Sequence, residues 1–198
     1  MGSESRSTLD RWLEPDESVV VSVELNGATV SLETSGRRTL ADSLRGEGLT
    51  GTHLGCEHGV CGSCTVLLDG SPVRSCLMLA VQADGRSVET VEGLVTDHDL
   101  SPLQRLFDAG GALQCGFCTP GFLMLATGIL RRDPAADREK IAERLTANVC
   151  RCTGGEPILR AVLAAQQELL CNTRPSNTPE PAEQVGAEWC GSDGPAAR

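Results

Sequence analysis

The stretch Gly55-Cys56-Glu57-His58-Gly59-Val60-Cys61-Gly62-Ser63-Cys64 constrains this chain more than any other part of it. It sets three cysteines in C-x4-C-x2-C spacing, and Cys76 follows after eleven more residues. Sulfurs so closely spaced converge only if the backbone between them turns sharply and carries little bulk. Gly55, Gly59 and Gly62 meet both needs, because glycine accepts positive φ and permits close backbone approach. They also leave amide N–H groups unobstructed, free to point at sulfur and stabilise negative charge there.

That spacing is the plant-type one for a [2Fe–2S] cluster, whose potential is tuned by such bonds to sulfur. A second constellation lies further on. Cys115-Gly116-Phe117-Cys118 is a C-x2-C pair and Cys150-Arg151-Cys152 a C-x-C pair, with 31 residues between them. Each pair stands at a helix junction, where free N–H groups and the macrodipole favour negative charge. The ten cysteines are completed by Cys171 and Cys190. A disulfide framework would need a denser cysteine content and a secreted context. In a reducing compartment, clustered cysteines bind metal or perform redox chemistry. Structural zinc also takes four thiolates from two short pairs, although C-x-C is less typical of it. Spacing alone leaves both metals open for the second constellation.

The other function classes narrow quickly. The net charge of −10 argues against nucleic acid as a partner, and the scarcity of aromatics, with no Tyr, argues against base stacking. No apolar run reaches the length of a membrane span. Residues 1–16 lack a signal-peptide core, and Arg37-Arg38 is not followed by an apolar stretch. The expected location is therefore cytoplasmic, unless the chain is exported bound to a partner. There is no P-loop, no G-x-G-x-x-G after a strand and no HExxH or Ser-His-Asp arrangement. His58 reads as a surface residue of the first loop, and His53 and His98 as ordinary polar positions.

Periodicity divides the chain into a flexible arm (1–17), a strand-rich domain (18–93), a helical domain (94–171) and a disordered tail (172–198). Trp12 and Leu13 in the arm and Trp189 in the tail are candidate docking residues. Asn26-Gly27 joins two β-type runs, 19–25 and 28–32, as a hairpin. Thr39 caps a short helix over 39–45, with Leu40 and Leu44 inward. Asp69-Gly70 makes a second hairpin of 65–68 and 71–74. A two-residue turn there pairs Leu68 with Ser71, sets Cys64 opposite Ser75 and so brings Cys76 back to the loop. Pro72 then requires an edge or a bulge on its strand. Residues 77–81 read as an apolar turn, and 87–91 close a small mixed sheet around the helix, a β-grasp arrangement. Beyond 93–101, four helices are expected: one through Leu100, Leu103, Leu106 and Phe107; one over 120–132, apolar nearly all round and capped by Thr119; one over 137–148; and one over 157–170, capped through Thr153 or Glu156. Short connections point to an antiparallel bundle. The fold class expected is α+β, a β-grasp ferredoxin domain followed by a four-helix bundle.

Three motifs in order carry a family resemblance. They are Gly55 to Val66 around the first loop, Gln114-Cys115-Gly116-Phe117-Cys118-Thr119-Pro120-Gly121, and Asn148-Val149-Cys150-Arg151-Cys152-Thr153-Gly154. Together they resemble the iron–sulfur subunit of the molybdenum hydroxylases, the xanthine dehydrogenase, aldehyde oxidase and aerobic carbon monoxide dehydrogenase type. The resemblance spans about residues 18–171. It implies two [2Fe–2S] clusters, one on Cys56, Cys61, Cys64 and Cys76, the other on Cys115, Cys118, Cys150 and Cys152. It implies a large partner subunit holding a molybdenum–pterin centre and a medium partner holding FAD. Electrons would pass from molybdenum through the second cluster and then the first to FAD or another acceptor. Gln114 matches the glutamine whose amide contacts the pterin, and Cys152 the ligand nearest it. No substrate-activating residue is implied in this chain. Gly155 departs from the pattern, standing where many relatives carry Tyr. The alternative is a free-standing two-cluster carrier or sensor, and the expectation of a buried second cluster speaks against it.

Overall fold

The computed structural model describes Trp12, Glu14, residues 16–95 and residues 99–172. Most of the expected arm, residues 173–198 of the expected tail with Trp189 and Cys190, and His98 lie outside the described residues.

The first half is a five-stranded mixed sheet in the order β2-β1-β5-β3-β4. β1 (Ser18–Leu25) alternates, with Val19, Val21, Val23 and Leu25 all buried. It pairs antiparallel with β2 (Ala28–Ser35) from Leu25↔Ala28 onward. Asn26 at φ 52° and Gly27 at φ 85° form the two-residue turn that the Asn-Gly pair requires. β5 (Ser87–Glu89) runs parallel to β1, and β3 (Thr65–Leu68) runs antiparallel to β5. β4 (Ser71–Arg74) completes the edge in the expected register, Leu68↔Ser71 and Leu67↔Pro72. Pro72 thus sits on an edge strand, where its missing N–H costs no ladder bond. α1 (Leu40–Gly46) seals one face with Leu40 and Leu44, and Thr39 caps it by accepting the Asp42 N–H at 3.1 Å.

Every residue of β3 is buried. Val66 and Leu68 belong to the core beneath α1, whereas Leu67 faces α3 (Thr119–Arg132) on the other side. A strand covered on both faces reads as a continuous apolar run, as Thr65-Val66-Leu67-Leu68 does. α3 lies so close because two of its residues are glycines seven apart, on one stripe of the helix. A Cβ on Gly121 would stand 2.4 Å from the Gly62 carbonyl oxygen, and one on Gly128 2.5 Å from Pro72 Cγ. The helix start is thereby pressed against the first cysteine loop.

α2 (Pro102–Ala109), α4 (Arg138–Leu145) and α5 (Glu156–Asn172) share a core with α3 through Phe107, Phe122, Ile141, Ile158 and Val162. The fold is therefore α+β, a mixed sheet beside a helical part. Buried Gln166 ties α5 to the α3–α4 turn, donating to the Pro134 and Ala136 carbonyls at 2.9 and 2.8 Å. Among the described residues no helix is long and apolar enough to cross a membrane.

Several boundaries differ from expectation. Leu100 is exposed and precedes α2, which starts instead from a Ser101–Gln104 capping box. Thr119 is the first residue of α3 rather than its cap, because Cys118 already turns with the helix and its carbonyl accepts the Phe122 N–H at 3.1 Å. Neither proposed cap starts α5. Glu156 is already helical and pairs with Arg138 at 3.1 Å, while Thr153 turns its hydroxyl to Cys150. α5 also runs on to Asn172.

Gly121→Ala should lower the urea midpoint of unfolding. The gain in helix propensity is about 1 kcal/mol. Displacing the Gly62–Ser63 backbone is an overpacking cost of about 1–3 kcal/mol. An unchanged or higher midpoint would contradict the contact.

Candidate metal centres

The first loop folds so that donors converge on sulfur. The N–H groups of His58 and Cys61 donate to Cys56 Sγ at 3.4 and 3.3 Å. Glu57, Gly59 and Gly62 take positive φ (53°, 77° and 77°) to make this turn. The bonds from Cys61 and His58 and the Cys61 thiol hold the Cys56 thiol down at about 6. Cys76 reaches the loop through the β3–β4 hairpin. The Ser75 hydroxyl donates to the Cys64 carbonyl at 2.6 Å, which fixes the two strands just beyond their last pair. Burial, then the adjacent Cys64 thiol and the nearby Cys56, push the Cys76 thiol up to about 11. Cys56 thus interacts with Cys61 and with Cys76, and Cys76 with Cys64.

The second set assembles at one end of the helical part. Burial first, then the Cys150 and Cys115 thiols, push Cys118 up to about 12. The helix N-terminus is worth about 0.3–1 kcal/mol to a charge. Here desolvation outweighs it, so the expected advantage to negative charge is not what sets Cys118. Burial alone would also raise Cys150, but the Thr153 hydroxyl at 3.1 Å and N–H at 3.4 Å, with Cys152 and Cys118, bring it below its ordinary value. Cys115 is lowered by the Phe117 N–H and by Cys152. Cys115 and Cys152 are exposed, so the second set opens at the surface of this chain and the expectation of a buried second site is not met. The first set is the more enclosed, with Cys64 and Cys76 buried.

The two sets are joined by direct contacts. The Val149 N–H donates to the Cys61 carbonyl at 2.9 Å, linking one set's cysteine to the neighbour of the other's Cys150. Phe117 lies over the first loop, where a Cβ on Gly55 would meet its ring at 3.1 Å. His53 Nδ1 bonds the Phe117 carbonyl at 2.7 Å and its ring stacks on Phe117 at 5.1 Å. His53 is thus a bridging residue rather than an ordinary polar position, while His58 stays on the exposed loop as expected. Arg74 spans the seam, donating to the Gly59 carbonyl at 3.2 Å, to Thr65 Oγ1 and to the Ala147 carbonyl. Sequence reasoning missed Arg74, and named Asn148 only as the first residue of a motif. The register Thr65↔Arg74 was the signal that sets Arg74 beside Cys64.

The donor chemistry fits iron–sulfur clusters. Each set offers four thiols, and amide or hydroxyl donors already face Cys56 and Cys150. The buried Asn148 amide, packed against Gly62 between the sets, has no hydrogen-bond partner among the described residues. Gln114 is exposed and directly precedes Cys115, which is exposed as well. Gly154 and Gly155 have φ of 69° and 89° and border a groove of about 490 Å³ next to Cys150. A Cβ on Gly155 would meet nothing within 4 Å, so a larger residue here would meet backbone strain rather than crowding. Cys171 is exposed near the C-terminal end of α5.

Two domain families match the chain. One, described as 2Fe-2S iron-sulfur cluster binding domain, covers residues 23–93, and the other, [2Fe-2S] binding domain, covers 90–163. They decide the second constellation for iron–sulfur over zinc. The nicotine 6-hydroxylase small subunit of Paenarthrobacter nicotinovorans is 53% identical over 156 residues, 78% of this chain and 94% of its own length. The xanthine dehydrogenase iron-sulfur-binding subunit of Escherichia coli O157:H7 is 38% identical over 153 residues, 76% and 96% of the two chains. In the solved quinoline 2-oxidoreductase of Pseudomonas putida 86, a chain 48% identical superposes with a TM-score of 0.76 over 80% of this chain and 99% of its own.

In cluster-depleted protein, Cys56 should alkylate at pH 7 well before Cys76 and Cys118, because a thiol held at about 6 is mostly thiolate there, while thiols at about 11 and 12 are protonated. Peptide mapping after brief iodoacetamide treatment checks the order. Equal labelling of the three would contradict the convergence of N–H donors on Cys56.

Proposed function

The chain belongs to the iron–sulfur subunits of the molybdenum hydroxylase family, and is an electron-transfer subunit of an oxidoreductase complex; from that premise we propose how its residues serve the complex. Cys56, Cys61, Cys64 and Cys76 hold the plant-type cluster. Cys115, Cys118, Cys150 and Cys152 hold the second, and Cys171 and Cys190 hold neither. When bound, the clusters supply one-electron relay chemistry between a molybdenum–pterin centre on a large partner subunit and FAD on a medium partner, or another acceptor.

The chain's own residues set the terms of that relay. The amide donors at Cys56 and the Thr153 hydroxyl and amide at Cys150 stabilise thiolate at each site. Ala41 of α1 and Leu54 pack on Cys64 and Cys76, keeping water from that side of the first site. Cys115 and Cys152 leave the second site open, with exposed Leu113, Phe117 and Val149 around them. Exposed Val60 and Leu77 flank the first loop. Apolar rims of this kind are the usual mark of surfaces that a partner covers. The openness of the second site and the place of Gln114 beside Cys115 support the large subunit docking there, with the Gln114 amide offering donor and acceptor to a pterin edge.

The single observation that carries this reading is the hydrogen bond from the Val149 N–H to the Cys61 carbonyl. It ties two complete thiol sets back to back. A freely diffusing carrier needs one exposed site, whereas two sites joined through backbone suit a wire between docked cofactors. Within the chain we place the domain boundary near 93–94, with β-grasp topology before it and α2 to α5 forming a four-helix bundle after it. Retention of all these cysteines as metal-binding thiols supports a cytoplasmic complex.

Gln114→Ala should leave both clusters in place in the assembled enzyme. It should slow reduction of the second cluster by substrate at least tenfold in rapid mixing, and reduce pterin retention. Unchanged reduction and pterin content would reject the contact. Full turnover with the natural acceptor by a complex lacking this subunit would reject the larger reading.

A further inference from the structure

Arg74 is the last residue of β4, two residues before Cys76, and half-buried. Its guanidinium donates to the carbonyls of Gly59 and Ala147 and to Thr65 Oγ1. Gly59 lies between Cys56 and Cys61, and Thr65 follows Cys64. A Cβ on Gly62 would stand 3.1 Å from Arg74 Nη2, so the charge also reaches the turn between Cys61 and Cys64. All three partners are neutral, and no ion pair among the described residues includes Arg74. Arg131 and Arg138, which also reach across element boundaries, do have carboxylates, Glu89 at 2.7 Å and Glu156 at 3.1 Å, whereas Arg45 rests on the Thr50 and Thr52 carbonyls away from both cysteine sets. A half-buried cation held on carbonyls and a hydroxyl keeps most of its field, because no counter-charge cancels it and water screens it incompletely.

Resting on the assignment of Cys56, Cys61, Cys64 and Cys76 as cluster ligands, we propose that Arg74 is a positioning residue whose uncompensated charge favours the reduced form of the plant-type cluster and so sets that cluster as the lower-energy electron site next to the seam. The argument is electrostatic. Four thiolates around iron form an anionic centre, and reduction adds a further negative charge to it. A fixed cation nearby stabilises the reduced form more than the oxidised form, and net charge around a cluster is one of the levers on its potential. The three hydrogen bonds fix where that charge sits. They draw on the cysteine loop, the adjoining strand and the residue before Asn148, so the charge is held by the same seam that joins the two sites. A lysine keeps the charge without the planar fork, which separates charge from geometry.

The test is an EPR-monitored redox titration of the full chain in its assembled complex, comparing parent, R74K and R74Q. The plant-type signal is identified as the one lost in Cys76→Ser. R74Q should retain the signal but shift its oxidised-to-reduced ratio at a fixed potential at least tenfold toward oxidised, which is 59 mV for a one-electron couple. The second cluster's ratio should move less than threefold, and R74K should stay within threefold of the parent for both. An unshifted plant-type ratio in R74Q overturns the proposal, as does an R74K shift as large as that of R74Q, since geometry rather than charge would then be responsible. Should glutamine cost the cluster altogether, R74K decides alone: a ratio within threefold supports the proposal and a tenfold shift overturns it. Absence of any signal lost in Cys76→Ser would instead reject the ligand assignment itself.

Discussion

Four thiols brought into one small space are the constraint on which the rest of this structure depends. Without metal, each added thiolate charge makes the next harder to form, and the raised Cys76 and Cys118 thiols express that cost together with burial. Iron bound by all four sulfurs, as proposed, would remove the conflict, and the chain supplies what iron would not. Backbone N–H groups face Cys56, the Thr153 hydroxyl and N–H face Cys150, and the Arg74 guanidinium, with no ion pair among the described residues, stands beside the first loop. The glycines follow from the same requirement. Gly62 must turn at positive φ for the sulfurs to converge, and its lack of a side chain is what allows Asn148 to approach from the second site.

The two thiol sets come from regions of different construction, yet they are built against each other. The sheet presents the first set at the start of β3, and α3 lies across the outer face of that strand. The stripe of Gly121 and Gly128 lets the helix descend until its first turn touches Gly62 and Ser63. Cys118 caps that helix, so closeness of helix to strand becomes closeness of one cysteine set to the other. The Val149–Cys61 bond, the His53–Phe117 stack and Arg74 then close the seam from three sides. Relay chemistry asks for two centres at a fixed separation, and a seam of backbone and short side-chain contacts fixes it better than long flexible pairs would.

Much of this was legible in the residues. The Asn26-Gly27 and Asp69-Gly70 turns fixed two hairpin registers, because few other dipeptides tolerate two positive φ angles in succession. The second register in turn explained how Cys76 returns to the loop. Cysteine spacing and local motifs distinguished the two sets, since both depend on residues close in sequence. What was not legible depends on residues meeting across the seam. Arg74 reads as an unremarkable strand-end cation until Ala147, 73 residues away, is seen to accept its hydrogen bond. His53 reads as a loop residue until Phe117 stacks on it. The openness of the second site was misjudged for the same reason: an apolar α3 is buried by its neighbours, but Cys115 and Cys152, on the turns beside its start, are exposed. The start of α5 was misread because Thr153 lies one turn too early: its hydroxyl donates to Cys150 sulfur and accepts the Gly155 N–H at 3.2 Å, ahead of the helix rather than within its first turn.

The central claim is that the eight cysteines form two separate [2Fe–2S] sites, four to each. Low-temperature EPR of the reduced chain, with iron and labile sulfide analysis, tests it most directly in two single variants, Cys61→Ser and Cys150→Ser. The parent should show two distinguishable signals. Cys61→Ser should abolish or transform one while the other persists, and Cys150→Ser should do the reverse. Two variants that affect the same signal, or a parent whose second set carries zinc in place of iron, would contradict the account.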